Sequence, residues 1–290
     1  MSLIPDGEII ELDNGIYARL HEGLTNSGII VGDTSVLVID SLRMPSFARS
    51  LIDDVRKVTD KPVKYVIDTH SHWDHSWGNE EFQGVTIIGH DNCYREMTDI
   101  EWNSNWRNKV TSAEAPWSKE AETLNITPPN VTFETSMQLH FGGKEIHLWY
   151  FGRAHTSGDI FIHLPKEKLV FTGDVVQAQG TPFLEDGYPL EWPETDNRLL
   201  DLKAERFISG HGPIGSHKEL TEARDFMHAL VDNLKDARRE GLNSTDASKA
   251  ATIALAPRFD GWRGFEGLET AIPAFYNNLS KEKHQKIIPA

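Results

Sequence analysis

Residues 69–79 read THSHWDHSWGN and set four potential metal ligands, His70, His72, Asp74 and His75, within six positions. Alternate residues of an extended segment share a face, so His70 and His72 can point into one site. The turn that follows can present Asp74 and His75 beside them. An exposed His-rich loop would contain the same residue types. Three imidazoles held together, however, repel one another once protonated and lose solvation when buried. A divalent ion removes both costs, because each neutral imidazole gives it a lone pair. Three further candidates stand just after apolar runs: His155 in YFGRAHTSGD, Asp174 in LVFTGD and His211 in RFISGHGP. Each has a glycine close by, which lets the backbone turn sharply at a strand end. These seven residues suit two divalent ions. Two ions about 3.5–4 Å apart share one water and acidify it to hydroxide near neutral pH, so no Ser or Cys nucleophile is needed. One ion would polarise a scissile carbonyl, P=O or S=O group. Asp74 would orient the hydroxide and pass a proton to the leaving group. Two zinc ions, two carboxylates and one hydroxide leave a net charge of about +1 in a low-dielectric pocket, which attracts an anionic or polarised substrate.

Seven side chains from distant parts of the chain need strands and turns to gather them. β-Rich runs predict strands at 27–31 and 36–40, joined by a hairpin turn at Gly32-Asp33. A buried strand at 63–68 runs directly into Thr69-His70. The spacing of Phe47, Leu51, Val55 and Val58 predicts a helix over 45–58, with Ser46 as its N-cap. A helix start over 78–82, a strand at 85–88 and a helix over 90–97 follow. Residues 98–128 carry Trp102, Trp106 and Trp117 in a polar, helix-prone background and stop at Pro128-Pro129, which reads as an inserted helical lobe. Strands return at 131–133, 146–151, 159–164, 169–172 and 206–209. From Ser216 to residue 290 the pattern is helical, with helices at 216–241 and about 245–256 and breaks at Pro257 and Gly261. No linker or fixed-period repeat interrupts the 290 residues, so they read as one α/β domain. Two sheets with helices outside would make a four-layer αββα sandwich.

Acidic residues outnumber basic ones 44 to 29, for a formal charge of −15. Most of such a surface repels a phosphate backbone, so no nucleic-acid partner is expected. No apolar run is long enough to span a bilayer, and no membrane partner is expected. The single cysteine, Cys93, excludes an intrachain disulfide and a Cys-rich zinc knuckle. The start, MSLIPDGEII, lacks the basic and apolar stretches of a signal peptide. A cytoplasmic location is therefore expected, with a leader replaced by Met1-Ser2-Leu3 left open.

The His-x-His-x-Asp-His cluster, Gly-x-x-His155, Thr-Gly-Asp174 and Gly-His211-Gly resemble the ligand motifs of the metallo-β-lactamase fold superfamily, over about residues 15–215. The resemblance implies His70, His72 and His155 on one metal, Asp74, His75 and His211 on the other, and Asp174 bridging. It implies the αββα sandwich, two Zn2+ per chain (iron or manganese as alternatives), and hydrolysis of an ester-like, thioester, lactone or lactam bond in a small molecule. The motifs are far more specific for fold than for substrate. The similar β-lactamases have Cys at the position of Asp174 and a substrate-anchoring Lys at that of Gln177, which argues against β-lactams as the main substrate. Glyoxalase-II-like thioesterases share the bridging Asp but have Gly-Gly where this chain has Trp77-Gly78, and no basic cluster suited to glutathione is visible. Lactonases share all seven ligands. Flavodiiron relatives carry Glu in place of His72, and nucleases of the fold need basic surfaces. A mononuclear iron persulfide dioxygenase is the alternative enzyme, and a non-catalytic metal-binding relative the alternative without chemistry.

Trp73 and Trp77 flank the cluster, and the segment 177–192 carries Phe183, Tyr188 and Trp192. As a group these aromatics are expected to line an apolar substrate pocket, with the insert as its lid. The competing expectation is that Trp102 and Trp106, four residues apart, pack the insert to the core. His147 and His163 lie inside strand-like runs and read as packing or surface residues. Cys93 reads as buried and inert. Asp68 is expected to accept a hydrogen bond from a ligand histidine. The closing helices are expected to cover one sheet, with a homodimer contact as a second use.

Overall fold

The computed structural model describes residues 7–113 and 115–281. Among these, one sheet contains β1 (Glu8–Asp13), β2 (Ile16–Leu20), β3 (Ser27–Val31), β4 (Val36–Ile39), β5 (Val63–Ile67), β6 (Thr86–His90) and β7 (Val131–Phe133), adjacent in chain order. The pairs from β1 to β4 are antiparallel, and those from β4 to β7 are parallel. The crossovers of the parallel part hold α1 (Pro45–Val58), α2 (Trp73–Ser76), α3 (Asp91–Thr98) and α4 (Ile100–Thr111). The second sheet has β8 (Ser136–Phe141), β9 (Lys144–Trp149), β10 (Phe161–Leu164), β11 (Leu169–Gly173), β12 (Arg206–Ser209) and β13 (Gly215–Ser216), again in chain order. Only β11 and β12 pair in parallel, and α5 (Trp192–Leu200) lies in their crossover. Three closing helices follow, α6 (His217–Arg239), α7 (Ser244–Phe259) and α8 (Leu268–Lys281).

Strand side chains alternate between faces, and this alternation builds the layers. Ile30, Leu37, Ile39, Ile67 and Ile88 of the first sheet meet Ile146, Leu148, Ile162, Phe171 and Ile208 of the second in one buried cluster between the sheets. Their neighbours Ile29, Val36, Val38, Val66 and Ile87 face outward onto Phe47, Leu51 and Val55 of α1. On the other side Phe161, Val170 and Phe207 pack against α5 to α8. The result is the expected αββα sandwich.

Local details differ from the sequence expectations. Ser46 does not cap α1. Met44 is the N-cap and Pro45 occupies the first turn, where a missing N–H costs nothing. The Ser46 backbone and hydroxyl bind Glu120 of the insert instead. Pro257 lies inside α7, which continues to Phe259, because a proline in the last turn removes only one backbone bond. The hairpin β1–β2, strand β8 and helix α5 were not anticipated. The helical tail expected over 282–290 lies outside the described residues. No helix among the described residues is long and apolar enough to cross a membrane.

Candidate metal centre

All seven sequence-derived ligands converge at one edge of the two sheets. β5 ends at Ile67 and its chain continues into His70, with His72 as N-cap of α2 and His75 on that helix. Asp174 directly follows β11, and His211 stands two residues after β12. Since β11 and β12 run parallel, both deliver their C-terminal residues to the same end. His155 comes from the connection between β9 and β10. His211 sits between Gly210 and Gly212. A Cβ on Gly210 would collide with Asp174 and His75, so the close approach of these groups needs a glycine there.

Three sets of ligand atoms each fall within 4.8 Å of one another: His70, His72 and His155; His70, His75 and Asp174; Asp74, His75 and His211. Asp174 lies between the outer two sets, 3.7 Å from His155 Nε2 and 3.3 Å from His211 Nε2. Each histidine has one nitrogen tied to the protein. His155 Nδ1 donates to the Phe183 carbonyl at 3.0 Å and His211 Nδ1 to that of Leu24 at 2.9 Å. His72 Nε2 donates to Asp186 at 3.0 Å and His75 Nδ1 to Asp40 at 2.8 Å. His70 Nδ1 lies 3.0 Å from Thr69 Oγ1, whose own proton goes to Asp40. These outer acceptors orient the rings and aim the second nitrogen of each one inward.

The inner atoms then lack partners. His70 Nε2, His75 Nε2 and Asp174 Oδ1 are buried without a hydrogen bond among the described residues. His155 Nε2 faces His72 Nδ1 at 2.8 Å, and with both outer nitrogens protonated two lone pairs oppose each other. Buried acceptors without donors cost free energy, and a cation at their focus resolves it. The donor set of five imidazoles and two carboxylates therefore fits divalent metal ions. The proton affinities divide the cluster: His70 and His155 hold no proton on their inner nitrogens near neutral pH, whereas the carboxylates draw a cation, a proton or a metal ion, to His211 and His75. Burial, then the neighbouring His75, His72 and His155, push His70 well below the usual imidazole range. Burial and then His72 push His155 down to about 3. Burial also works against charge on His211, but Asp174 and Asp74 outweigh it and raise that group to about 10. Burial opposes charge on His75 as well, but Asp174, Asp74 and Asp40 raise it.

A family model described as the metallo-beta-lactamase superfamily matches residues 21–211. The chain belongs to this superfamily. Among its relatives, the alpha subunit of a 2,4-dinitroanisole O-demethylase from Nocardioides sp. (strain JS1661) is 24% identical over 82% of this chain and 65% of its own length. The chain thus spans under two thirds of that relative. A hydroxyacylglutathione hydrolase from Brucella anthropi is 25% identical over 80% of this chain and 76% of its own. Among solved structures, a metallo-beta-lactamase from Pontibacter korlensis superposes with a TM-score of 0.63 at 20% identity, over 77% of this chain and 99% of that one.

Around this superfamily site the structure adds residues that sequence reading overlooked. Asp40 ends the apolar run of β4, the strand beside β5, and its Oδ2 serves both His75 and Thr69. Asp68, expected in such a role, instead accepts from Asn79 at 2.8 Å, and no ligand histidine hydrogen-bonds to it among the described residues. A polar residue at the end of a strand paired to β5 was the signal that could have found Asp40. Thr25 Oγ1 donates to Asp74 Oδ2 at 2.9 Å and lies 3.4 Å from Arg43 Nη2. Arg43 is boxed by Phe47, Trp73 and Trp117 at 5.5, 5.2 and 5.0 Å.

A cavity of about 1090 Å³ opens over His72, Asp74, His155, Asp174 and His211, with Trp73 and Phe183 in its wall. Three expected pocket residues are elsewhere. Trp77 is buried under α1 in the outer core of the first sheet. Trp192 is fully buried below the second sheet, with its indole N–H on the Val175 carbonyl. Tyr188 stacks on Arg153 at 4.4 Å, off the cavity. The Trp192 and Trp77 rings fill the two outer cores instead. The insert takes over: Trp106 lines the cavity, 5.0 Å from the His72 ring, and Trp102 stacks on that ring at 6.0 Å.

Proposed function

We propose that this protein is a zinc-dependent hydrolase that cleaves an ester-like, thioester, lactone or lactam bond in a small molecule. The observation that carries the reading is the inward focus of unpartnered His and Asp atoms beneath a cavity of substrate size. His70, His72 and His155 would hold one ion and Asp74, His75 and His211 a second, with Asp174 shared. Ions bound there supply an acidified water and polarise the scissile group. The chain's own residues do the rest. Asp186, Asp40 and the carbonyls of Phe183 and Leu24 hold the outer imidazole protons, so the rings are oriented with their inner nitrogens toward the cluster. Asp74 faces the cavity with its Oδ2 held by Thr25, placed to orient water and move a proton toward the leaving group. Trp106 and Phe183 limit water around the reacting bond.

The named relatives support hydrolysis as the reaction class, and the demethylase subunit adds an activated aryl methyl ether to the substrates worth trying. The test is elemental mass spectrometry of the purified protein together with a panel of lactone, thioester, β-lactam and aryl ester substrates. About two zinc per chain with turnover of one class is the expected result. One iron per chain without hydrolysis would favour the dioxygenase alternative, and no bound metal would overturn the proposal.

A further inference from the structure

Among the described residues, the wall of the same cavity contains one Lys or Arg side chain, Arg263, which comes from the turn between α7 and α8. Its backbone is clamped on the segment after Asp174: Arg263 N donates to the Gln179 carbonyl at 3.0 Å, and Thr181 N to the Arg263 carbonyl at 3.0 Å. The guanidinium lies over two glycines. A Cβ on Gly180 would come within 2.6 Å of Nη2, and one on Gly212 would overlap the group itself. Gly212 directly follows the ligand His211, so the cation is seated against the backbone of the metal centre. Gln177 Oε1 accepts from Nη2 at 3.0 Å and steadies it. Among the described residues no carboxylate pairs with Arg263, and no hydrogen bond engages its Nε or Nη1. The residue is exposed to solvent and lines the cavity. Two glycines, a glutamine and two backbone hydrogen bonds thus hold an exposed guanidinium beside the cavity, with no carboxylate partner among the described residues.

We propose that Arg263 is the specificity residue that binds a carboxylate on the substrate. The planar guanidinium offers free N–H groups in a fork that matches a carboxylate. Gln177 is itself uncharged and acts as a positioning residue for that fork. Trp106, Phe183, Leu268 and Ala271 supply apolar wall for the remainder of the molecule. Outside the cluster the wall also carries the carboxylates of Glu8, on β1, and Glu22, after β2, which repel an anion from their own part of the cavity. This inference rests on the hydrolase reading of the cavity and names the class of substrate: a small molecule with an apolar body and one carboxylate.

The test is calorimetric binding of 3-phenylpropanoate and its neutral amide, 3-phenylpropanamide, to the purified protein with its metal content recorded. Wild type should prefer the acid by about tenfold, the strength of one charge-assisted contact. In Arg263→Gln the acid-to-amide ratio should fall to near unity, and in Arg263→Lys it should be intermediate, since the charge remains but the fork is lost. Melting temperatures and circular dichroism check that both variants fold. An unaltered ratio in a folded Arg263→Gln protein would assign the anion to the metal cluster and overturn the proposal, as would the absence of any preference in wild type. Binding is read without turnover, so failure of the hydrolase reading would appear separately in the metal analysis and the substrate panel.

Discussion

At the scale of single residues, Asp40 organises the candidate metal centre without joining its ligand set. It takes a left-handed conformation, φ 61°, which Asp and Asn tolerate better than most residues. Its Oδ1 accepts from the Thr69 N–H at 2.7 Å, and its Oδ2 accepts from Thr69 Oγ1 and His75 Nδ1. Three donors meet two carboxylate oxygens, and an amide cannot serve them all. Asp40→Asn keeps the backbone preference but turns an NH2 group toward a donor. Metal affinity should fall about 10- to 100-fold, the usual loss when an outer partner of a ligand histidine is removed. Competition with a chromophoric chelator measures it, and an unaltered affinity would show that the ligand geometry is held by other groups.

At the scale of elements, the insert and the loop after β11 close over the cluster as a pair. Lys109 of α4 binds Glu185 at 2.6 Å and lies over Trp106, whose ring is 5.9 Å from that of Phe183. The exposed ion pair contributes little stability; the aromatic contacts carry most of the docking. Phe183→Ala and Trp106→Ala should each raise KM several-fold, with a smaller effect on kcat, because they remove binding surface that is common to substrate and transition state. Tyr188→Phe, outside the cavity, should leave both constants unaltered. Steady-state kinetics on whichever substrate the panel identifies gives the answer. Equal KM values for all three variants and wild type would remove the insert from substrate binding.

At the scale of the whole molecule, the closing helices have two roles. They bury the outer face of the second sheet, where Phe226, Phe259 and Trp262 pack ring against ring, and their α7–α8 turn brings Arg263 to the cavity. This packing contains a charge problem. Asp196 of α5 is buried, its oxygens accept no hydrogen bond among the described residues, and the nearby Trp192 N–H is engaged by Val175. Burial raises its pKa well above the usual carboxylate range, against the attraction of Arg224. A raised pKa in the folded state means that stability is fully present below the unfolded pKa, about 4. It is lost as the pH rises through the folded value. Asp196→Asn should therefore gain melting temperature relative to wild type as the pH is raised from 4.5 to 8. A difference that is flat with pH would show that the carboxyl does not ionise on unfolding in that range.

The sequence by itself determined the candidate ligand set, the order of most strands and the layer class. The candidate ligands are His and Asp at sharp strand ends, which the sequence shows directly, and period-two burial is written into neighbouring residues such as Ile29 and Ile30 or Val66 and Ile67. Helix ends were less legible, because Ser46 found a distant partner in Glu120 rather than its own helix. The pocket wall was legible only in part: Trp73 and Phe183 line the cavity, while Trp77 and Trp192 have the same residue type and proximity in sequence but point into the outer cores. Tertiary structure alone decided which aromatic faces solvent and which faces core. It alone brought Asp40, Thr25 and Asp186 to the ligands, and Arg263 to a glycine next to His211. Such contacts join segments far apart in the chain, and no local periodicity records them, since they depend on how two sheets and their covering helices come together.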